Sequence, residues 1–168
     1  MNASEDTVSR SIPTQVVVLI AVILLCVGIG AVGALVTLPQ IPTWYAGIAK
    51  PSWTPPNKIF GPVWTTLYVM MAVAVWLVWR RERFAVIWPA LSVFGVQLIL
   101  NAIWSPIFFG LESPLLGLLV IVPLWLMIGV TIYCFSRRNI AAAMLLIPYF
   151  LWVSYATCLN FAIWRLNG

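Results

Sequence analysis

The chain alternates long apolar runs with short polar segments, and this pattern predicts how often it crosses a membrane. A helix of about 20 apolar residues spans the hydrocarbon core of a bilayer. Five such runs follow a polar lead at residues 1–15, which predicts an all-α membrane protein with a five-transmembrane-helix bundle over residues 16–168. The predicted helices cover residues 16–38, 59–79, 84–109, 114–136 and 140–164. Residues 39–58 are predicted to form a loop that acts as a lid over one end of the bundle.

The first apolar run is predicted to be a retained helix. It has no charged or amide side chain between Val16 and Pro39. A signal peptide is the alternative, but its apolar core is shorter, roughly 7–15 residues, and follows a basic flank. The flank here carries Glu5 and Asp6, which favours the retained helix.

Glycines and prolines inside the runs predict how the helices pack and bend. Gly28, Gly30 and Gly33 spell G-x-G-x-x-G, but a dinucleotide site needs a preceding strand and a βαβ unit. Close approach of two helices is the better interpretation of these small residues. Prolines inside the later runs are expected to kink or end their helices. They are Pro89, Pro106, Pro123 and Pro148.

Composition supports the membrane class and removes several functions. Of the 168 residues, 63% are hydrophobic and 8% are charged, whereas soluble domains carry about 25% charged residues. The net charge of +5 is small and lies in the loops, so no nucleic-acid partner is expected. Histidine is absent and the three cysteines lie apart inside apolar runs, so neither a metal site nor a disulfide framework is expected.

The positions of the basic residues predict the orientation in the membrane. One side of the predicted bundle carries Arg10, Arg80, Arg81, Arg83, Arg137 and Arg138. The other side carries Lys50, Lys58 and Arg165. The positive-inside rule therefore places the N-terminus in the cytoplasm and the first loop outside.

The predicted spans contain no acidic or basic side chain, which disfavours energised transport. A proton-coupled pump or an ion-driven exchanger would need such a group within the membrane. An odd number of helices is also incompatible with the simple two-half inverted repeat of many transporters.

Aromatic and amide side chains recur at helical spacing on three of the predicted helices. They are Phe60, Trp64, Tyr68 and Met71 on the second; Gln97, Asn101, Ser105 and Phe108 on the third, beside Trp104; and Tyr149, Trp152, Ala156, Leu159 and Asn160 on the fifth. One interpretation is helix packing, with tryptophans at the lipid headgroups and amides between helices. The other is a wall for a flat apolar ligand. Lys50 would then either meet a ligand carboxylate or only set the topology.

Three blocks of sequence resemble the TspO/MBR family, the tryptophan-rich sensory proteins of bacteria. The first and most specific block runs from Trp44 to Tyr68 and reads WYAGIAKPSWTPPNKIFGPVWTTLY. The second reads QLILNAIWSPIFFG from Gln97, and the third reads PYFLWVSYATCLN from Pro148. The family is related to the mitochondrial translocator protein, once called the peripheral benzodiazepine receptor.

The resemblance implies a homodimer and a pocket beneath the first loop that binds porphyrins, such as protoporphyrin IX, and drug-like or sterol ligands. It also implies a light-dependent breakdown of protoporphyrin that depends on two pocket tryptophans, matched here by Trp64 and Trp152. Ala156 matches a small residue on the ligand-facing side of the last helix. The sterol-recognition segment maps to Leu159–Arg165, where Phe161 replaces the central tyrosine and departs from the sterol pattern.

These observations predict a membrane protein that binds tetrapyrroles and small hydrophobic ligands in a sensory, regulatory or translocator role. The alternatives are light-dependent porphyrin degradation, with Trp64 and Trp152 as the reactive side chains, and downhill transport of porphyrin, sterol or lipid. No cofactor is required, and the expected partners are the ligand, membrane lipid and a second copy of the chain. The expected location is the bacterial cell membrane, or the mitochondrial outer membrane for a eukaryotic chain.

The predicted ligand-binding set combines the aromatic stripes with the residues of the family blocks. It consists of Trp44, Lys50, Trp53, Phe60, Trp64, Tyr68, Asn101, Trp104, Phe108, Tyr149, Trp152, Ala156 and Leu159.

Overall fold

The computed structural model describes residues 10–168, and helices make up most of this part of the chain. The elements are α1 (Ile12–Gln40), the short α2 (Trp44–Gly47), α3 (Asn57–Trp79), α4 (Phe84–Ser105), a π-helical turn (Pro106–Gly110), α5 (Pro114–Ser136) and α6 (Ile140–Asn167). Within the described residues, five helices are long and apolar enough to cross a membrane, and the π-helical turn continues α4. The predicted all-α architecture with five membrane-spanning helices is confirmed.

Helix α1 begins at Ile12, earlier than the predicted start at residue 16. The side-chain oxygen of Ser11 caps it by accepting a hydrogen bond from the backbone N–H of Thr14 (3.4 Å), and Pro13 suits a first turn. Residues 1–9 of the predicted polar lead lie outside the described part. Within α1 only Cys26 is buried, so most of its apolar side chains face outward, as expected for a helix in contact with lipid.

The five long helices form a ring in the order α1, α3, α6, α5 and α4, and α1 closes the ring by packing on both α3 and α4. One half of the ring is filled by a dense core, in which Met71, Ile128, Leu146 and Tyr149 are fully buried. The other half encloses a cavity beneath the first loop.

The end of the ring that carries most arginines is held together by arginine side chains, and we call it the arginine end. The Arg10 guanidinium donates to the backbone carbonyls of Trp79 (3.2 Å) and Glu82 (2.8 Å). Arg138 donates to the carbonyl of Val86 (3.5 Å). These bonds bring the N-terminus of α1 and the two connections α3–α4 and α5–α6 to one end. Its position in the cytoplasm stays a prediction.

The opposite end is covered by residues 41–56, which we call the lid. The lid contains α2, which the sequence did not predict. The Asn167 carboxamide accepts from the backbone N–H of Ala49 and donates to its carbonyl, both at 2.9 Å. Because one side chain satisfies both backbone groups, the lid is fixed to the C-terminal end of α6.

The four prolines that were predicted to kink or end their helices have different consequences. Pro106 ends α4, and the backbone N–H of Leu111 then bonds to the Pro106 carbonyl (3.0 Å), which closes a π-helical turn. Pro89, Pro123 and Pro148 instead lie within continuous helices. The neighbouring helices supply the packing that keeps such helices intact in a membrane.

The glycine pattern of α1 allows close helix packing at one of its three positions. A Cβ atom added at Gly30 would collide with the ring of Tyr68 on α3. A Cβ at Gly33 would meet Ser105 on α4 at 3.4 Å, and one at Gly28 would meet nothing within 4 Å. Gly30 therefore sets the closest approach of α1 to α3.

We predict that Gly30→Val destabilises the bundle, because the added methyl groups must displace the buried Tyr68 ring. Overpacking of this kind costs about 1–3 kcal/mol. The matched control is Gly28→Val, which makes the same change in the same helix at a position with open space. Thermal unfolding of the purified protein in detergent micelles measures both variants. Equal unfolding temperatures would show that Gly30 is not needed for the α1–α3 contact.

Candidate ligand-binding cavity

A cavity of about 310 Å³ lies inside the ring at the lid end, which is within the range of about 300–1,000 Å³ usual for ligand pockets. All five long helices, the π-helical turn and the lid contribute to its wall. Of the predicted ligand-binding residues, the structure brings Phe60, Trp64, Tyr68, Asn101, Trp104, Phe108, Trp152, Ala156 and Leu159 to the wall. Their contact with a ligand stays a prediction.

Three tryptophans line this one cavity, and two of them, Trp64 from α3 and Trp152 from α6, are the pair singled out by the sequence. The ring of Trp152 packs edge-on against Phe60, with centroids 5.7 Å apart. The ring of Trp64 packs against Tyr68 (5.8 Å) and Tyr149 (6.2 Å). Because neighbouring rings hold both indoles, the cavity offers two fixed aromatic surfaces to a ligand.

A buried chain of hydrogen bonds forms the floor of the cavity. The Tyr68 hydroxyl donates to Asn101 Oδ1, and Asn101 Nδ2 donates to the Tyr149 hydroxyl oxygen (2.8 Å). Each of the three side chains is at most 7% exposed. Tyr149 is not part of the wall but lies behind Asn101, so its role is to hold the amide in place. The chain links α3, α4 and α6 at one level.

One polar atom of the wall has no partner. Among the described residues, two buried side-chain polar atoms make no hydrogen bond, Trp152 Nε1 and Gln97 Oε1. Gln97 lies in the core, whereas Trp152 lines the cavity. Leaving a buried donor unpaired costs about 1–3 kcal/mol. Trp152 Nε1 is inaccessible to solvent as well, so the indole offers the cavity its ring rather than its N–H.

The π-helical turn presents two consecutive aromatic rings, Phe108 and Phe109, to the cavity. Trp104 stacks on Phe108 with centroids 5.1 Å apart, and its Nε1 donates to Asn160 Oδ1 (3.3 Å). On the outer side, Trp44 of the lid packs against Phe108 (5.6 Å). Trp44 thus supports the wall without being part of it.

Lys50 does not line the cavity. Its Nζ donates to the carbonyl oxygens of Tyr45 and Ile48 and lies 4.8 Å from the centre of the Tyr45 ring. It lines a second pocket on the lid, which shares Tyr45 with the main cavity. Burial, with a smaller contribution from Tyr155, raises the pKa of the Tyr45 phenol. A ligand carboxylate would have to compete with backbone carbonyls for Lys50, so this contact stays a prediction.

Trp53 is also outside the wall, on the lid surface, and is 47% exposed. Its ring packs edge-on against Tyr155 (5.5 Å), and the Tyr155 hydroxyl donates to its carbonyl oxygen (2.7 Å). Trp53 therefore joins the lid to α6 above the cavity.

The exposed part of the cavity wall lies between α1 and α3. Ala31 and Leu38 on α1 and Gly61 and Thr65 on α3 line the cavity and are exposed. The wall residues that α4, α5 and α6 contribute in the described part are buried or half-buried. The most exposed stretch of the cavity wall thus lies between two membrane-spanning helices.

The predicted set omitted many wall residues, and two kinds of them are informative. One kind is aromatic and lies beside a predicted residue, namely Tyr45 and Phe109. Tyr45 directly follows Trp44 and Phe109 directly follows Phe108, and this adjacency could have indicated both residues. The other kind is the small side chains of α1, Gly30, Ala31, Gly33 and Ala34. These residues carry no polar or aromatic group, so their pattern indicated helix packing alone.

Fold and site together define a class of protein, the helical membrane proteins with an aromatic-walled cavity inside the bundle. The profile of the TspO/MBR family matches residues 21–165. The chain is 41% identical to the tryptophan-rich protein TspO of Chlorobaculum tepidum, over 91% of this chain and 98% of that protein. It is 40% identical to the tryptophan-rich protein TspO of Archaeoglobus fulgidus, over 89% and 97%. It is 38% identical to the human translocator protein, over 74% and 75%. The chain belongs to the TspO/MBR family.

We predict that Asn101→Leu destabilises the bundle, because it leaves the buried hydroxyls of Tyr68 and Tyr149 without their partner. Each unsatisfied buried group costs about 1–3 kcal/mol. Thr66→Val is the control, since it removes an exposed hydroxyl that bonds to its own helix at the Pro62 carbonyl (2.9 Å). Thermal unfolding in micelles is the measurement. A stability loss no greater than that of the control would mean that the tyrosine hydroxyls find other partners.

Proposed function

We propose that this protein binds a flat tetrapyrrole, such as protoporphyrin IX, and other drug-like hydrophobic molecules in the cavity, in a sensory, regulatory or translocator role. The observation that carries the proposal is the position of Trp64 and Trp152 on the wall of one cavity. Flat apolar ligands are held by aromatic surfaces together with a few polar groups. Polar side chains on the same wall, such as those of Asn57 and Thr65, supply such groups.

The chemistry of the chain favours a metal-free porphyrin over haem. Histidine, the commonest axial ligand of haem iron, is absent from the sequence. A porphyrin can stack on indole rings without a metal, and this stacking requires no acid, base or nucleophile. The cavity therefore suits binding that needs no additional cofactor.

The names of the relatives support a role in sensing or transport. One relative, from Cereibacter sphaeroides, is a tryptophan-rich sensory protein, 36% identical over 74% of this chain. The human relative is a translocator protein. For this chain we propose downhill passage at most, because the charged residues of its described part lie at helix ends or in connections rather than mid-membrane. A homodimer in a bacterial cell membrane is part of the same proposal.

Titration of the purified protein with protoporphyrin IX tests binding, followed by the absorbance of the porphyrin and the quenching of tryptophan fluorescence. We expect saturable binding that the double variant Trp64→Phe/Trp152→Phe weakens roughly tenfold, since two stacking contacts are worth about 0.5–1.5 kcal/mol each. Trp88→Phe is the control, because Trp88 is 57% exposed and lies away from the cavity. Unchanged affinity in the double variant would refute the site assignment.

Light-dependent porphyrin degradation is the second candidate, favoured by the same pair of indoles. An indole against an excited porphyrin can donate an electron to it. We expect illumination of the complex to consume porphyrin faster than illumination of porphyrin in empty micelles, with a new product visible by absorbance. Equal loss in the two samples would reject this activity and leave binding untouched.

A further inference from the structure

Three side chains that can be oxidised by one electron form a continuous line from the cavity to the protein surface. Trp152 lines the cavity, and its ring stacks on that of Tyr155 with centroids 5.9 Å apart and an angle of 27°. Tyr155 in turn contacts the ring of Trp53 at 5.5 Å. The Tyr155 hydroxyl also donates to the Trp53 carbonyl oxygen, which holds the last two residues together.

The two ends of this line differ in their surroundings. Trp152 Nε1 is buried and has no hydrogen-bond acceptor, so an oxidised Trp152 has no group to which it can release its proton. It would remain a radical cation, the strongly oxidising form of the indole. Trp53 is 47% exposed at the lid, so its oxidised form can release a proton to water. An electron vacancy is therefore less stable at Trp152 than at Trp53.

We propose a relay formed by Trp152, Tyr155 and Trp53. It carries an electron vacancy, that is, an oxidising equivalent, from a photo-oxidising ligand in the cavity to the aqueous surface. The proposal rests on the proposed function, because the oxidant is a porphyrin excited by light. The relay would keep Trp152 reduced and the cavity chemically intact during illumination.

The steps balance in electrons and protons. The excited porphyrin takes one electron from Trp152, which gives a porphyrin radical anion and a Trp152 radical cation. Trp152 recovers its electron from Trp53 through the intervening Tyr155 ring, and the Trp53 radical cation releases its indole proton to water. A soluble reductant such as ascorbate returns one electron, and water returns the proton to Trp53. Dioxygen takes the extra electron of the porphyrin and becomes superoxide.

Tyr155 acts as a bridge in this sequence and does not hold the vacancy. A tyrosyl radical forms when the phenol loses its proton, and the acceptor of the Tyr155 hydroxyl is a backbone carbonyl, which is a very weak base. Trp53 has no such restriction, because its ring is exposed to water.

Trp64, the other indole of the pair, has no comparable line of aromatic rings to the protein surface. Its ring neighbours are Tyr68 and Tyr149, both buried and both hydrogen-bonded to Asn101. Among residues 10–168 no exposed aromatic ring contacts Trp64 within stacking distance. The decay rate of a Trp64 radical should thus be independent of reductants in water. Trp64 therefore serves as an internal reference for the decay of the Trp152 radical.

Laser-flash absorption spectroscopy on the intact protein in lipid nanodiscs tests the relay. Protoporphyrin IX is bound first and checked by absorbance, and a lipid-soluble quinone replaces dioxygen as electron acceptor so that no singlet oxygen forms. We expect a tryptophan-radical signal with a component whose decay accelerates in proportion to the ascorbate concentration. Trp53→Phe should abolish this ascorbate-dependent component and lengthen the radical lifetime several-fold. Tyr155→Leu, which removes the bridging ring, should weaken the component, whereas Tyr155→Phe, which keeps that ring, should retain it.

The control is Trp88→Phe, which removes an exposed indole outside the relay and should leave the component unchanged. Tyr155→Phe keeps a ring between the two tryptophans, so loss of the component in this variant would overturn the bridging role of Tyr155. A wild-type decay that does not depend on ascorbate, or a decay that Trp53→Phe leaves unaltered, overturns the relay and leaves porphyrin binding standing. A protein that shows no saturable binding of the porphyrin overturns both proposals.

Discussion

The hydrogen bonds of the Asn101 carboxamide are the interaction on which the rest of the bundle depends. A buried amide needs both a donor and an acceptor, and Asn101 finds them in tyrosines of α3 and α6. Because Tyr68 also fills the space left by Gly30, the same amide indirectly positions α1. The level of Asn101 divides the ring: the core is solid toward the arginine end and hollow toward the lid.

Above this level the two sides of the cavity are bounded differently. The lid is fixed at its end of the bundle by hydrogen bonds, since Asn167 bonds to both backbone groups of Ala49 and the Tyr155 hydroxyl donates to the Trp53 carbonyl. The exposed stretch of the wall between α1 and α3 consists mostly of small or apolar side chains. In a membrane, apolar contacts between helices gain little over contacts with lipid. The lid side of the cavity is thus held by polar contacts, whereas its most exposed wall lies between two membrane-spanning helices.

The parts of this structure that a single sequence could predict are those set by local pattern. The five spans follow from run length, and the wall positions of Trp64, Asn101 and Trp152 follow from helical periodicity. The lid residues were harder, because Lys50 and Trp53 take positions set by α2 and by bonds to α6, which are long-range contacts. The contribution of α1 to the wall had no signal, because glycine and alanine mark close packing equally well. Sequence pattern locates side chains on a helix face, but the angle between two helices decides whether that face meets a neighbour or a cavity.

Trp64 and Trp152, two of the three cavity indoles, show how surroundings separate residues of identical chemistry. Trp64 packs against two tyrosines whose hydroxyls are hydrogen-bonded to Asn101. Trp152 has an unpaired N–H and stacks on a tyrosine that reaches the lid. Its N–H is enclosed by the fold and lacks a partner, which is uncommon for a buried donor. The described wall carries no charged side chain, so selectivity for the proposed ligand depends on the shape of the aromatic surfaces and on polar side chains such as Thr65 and Ser105.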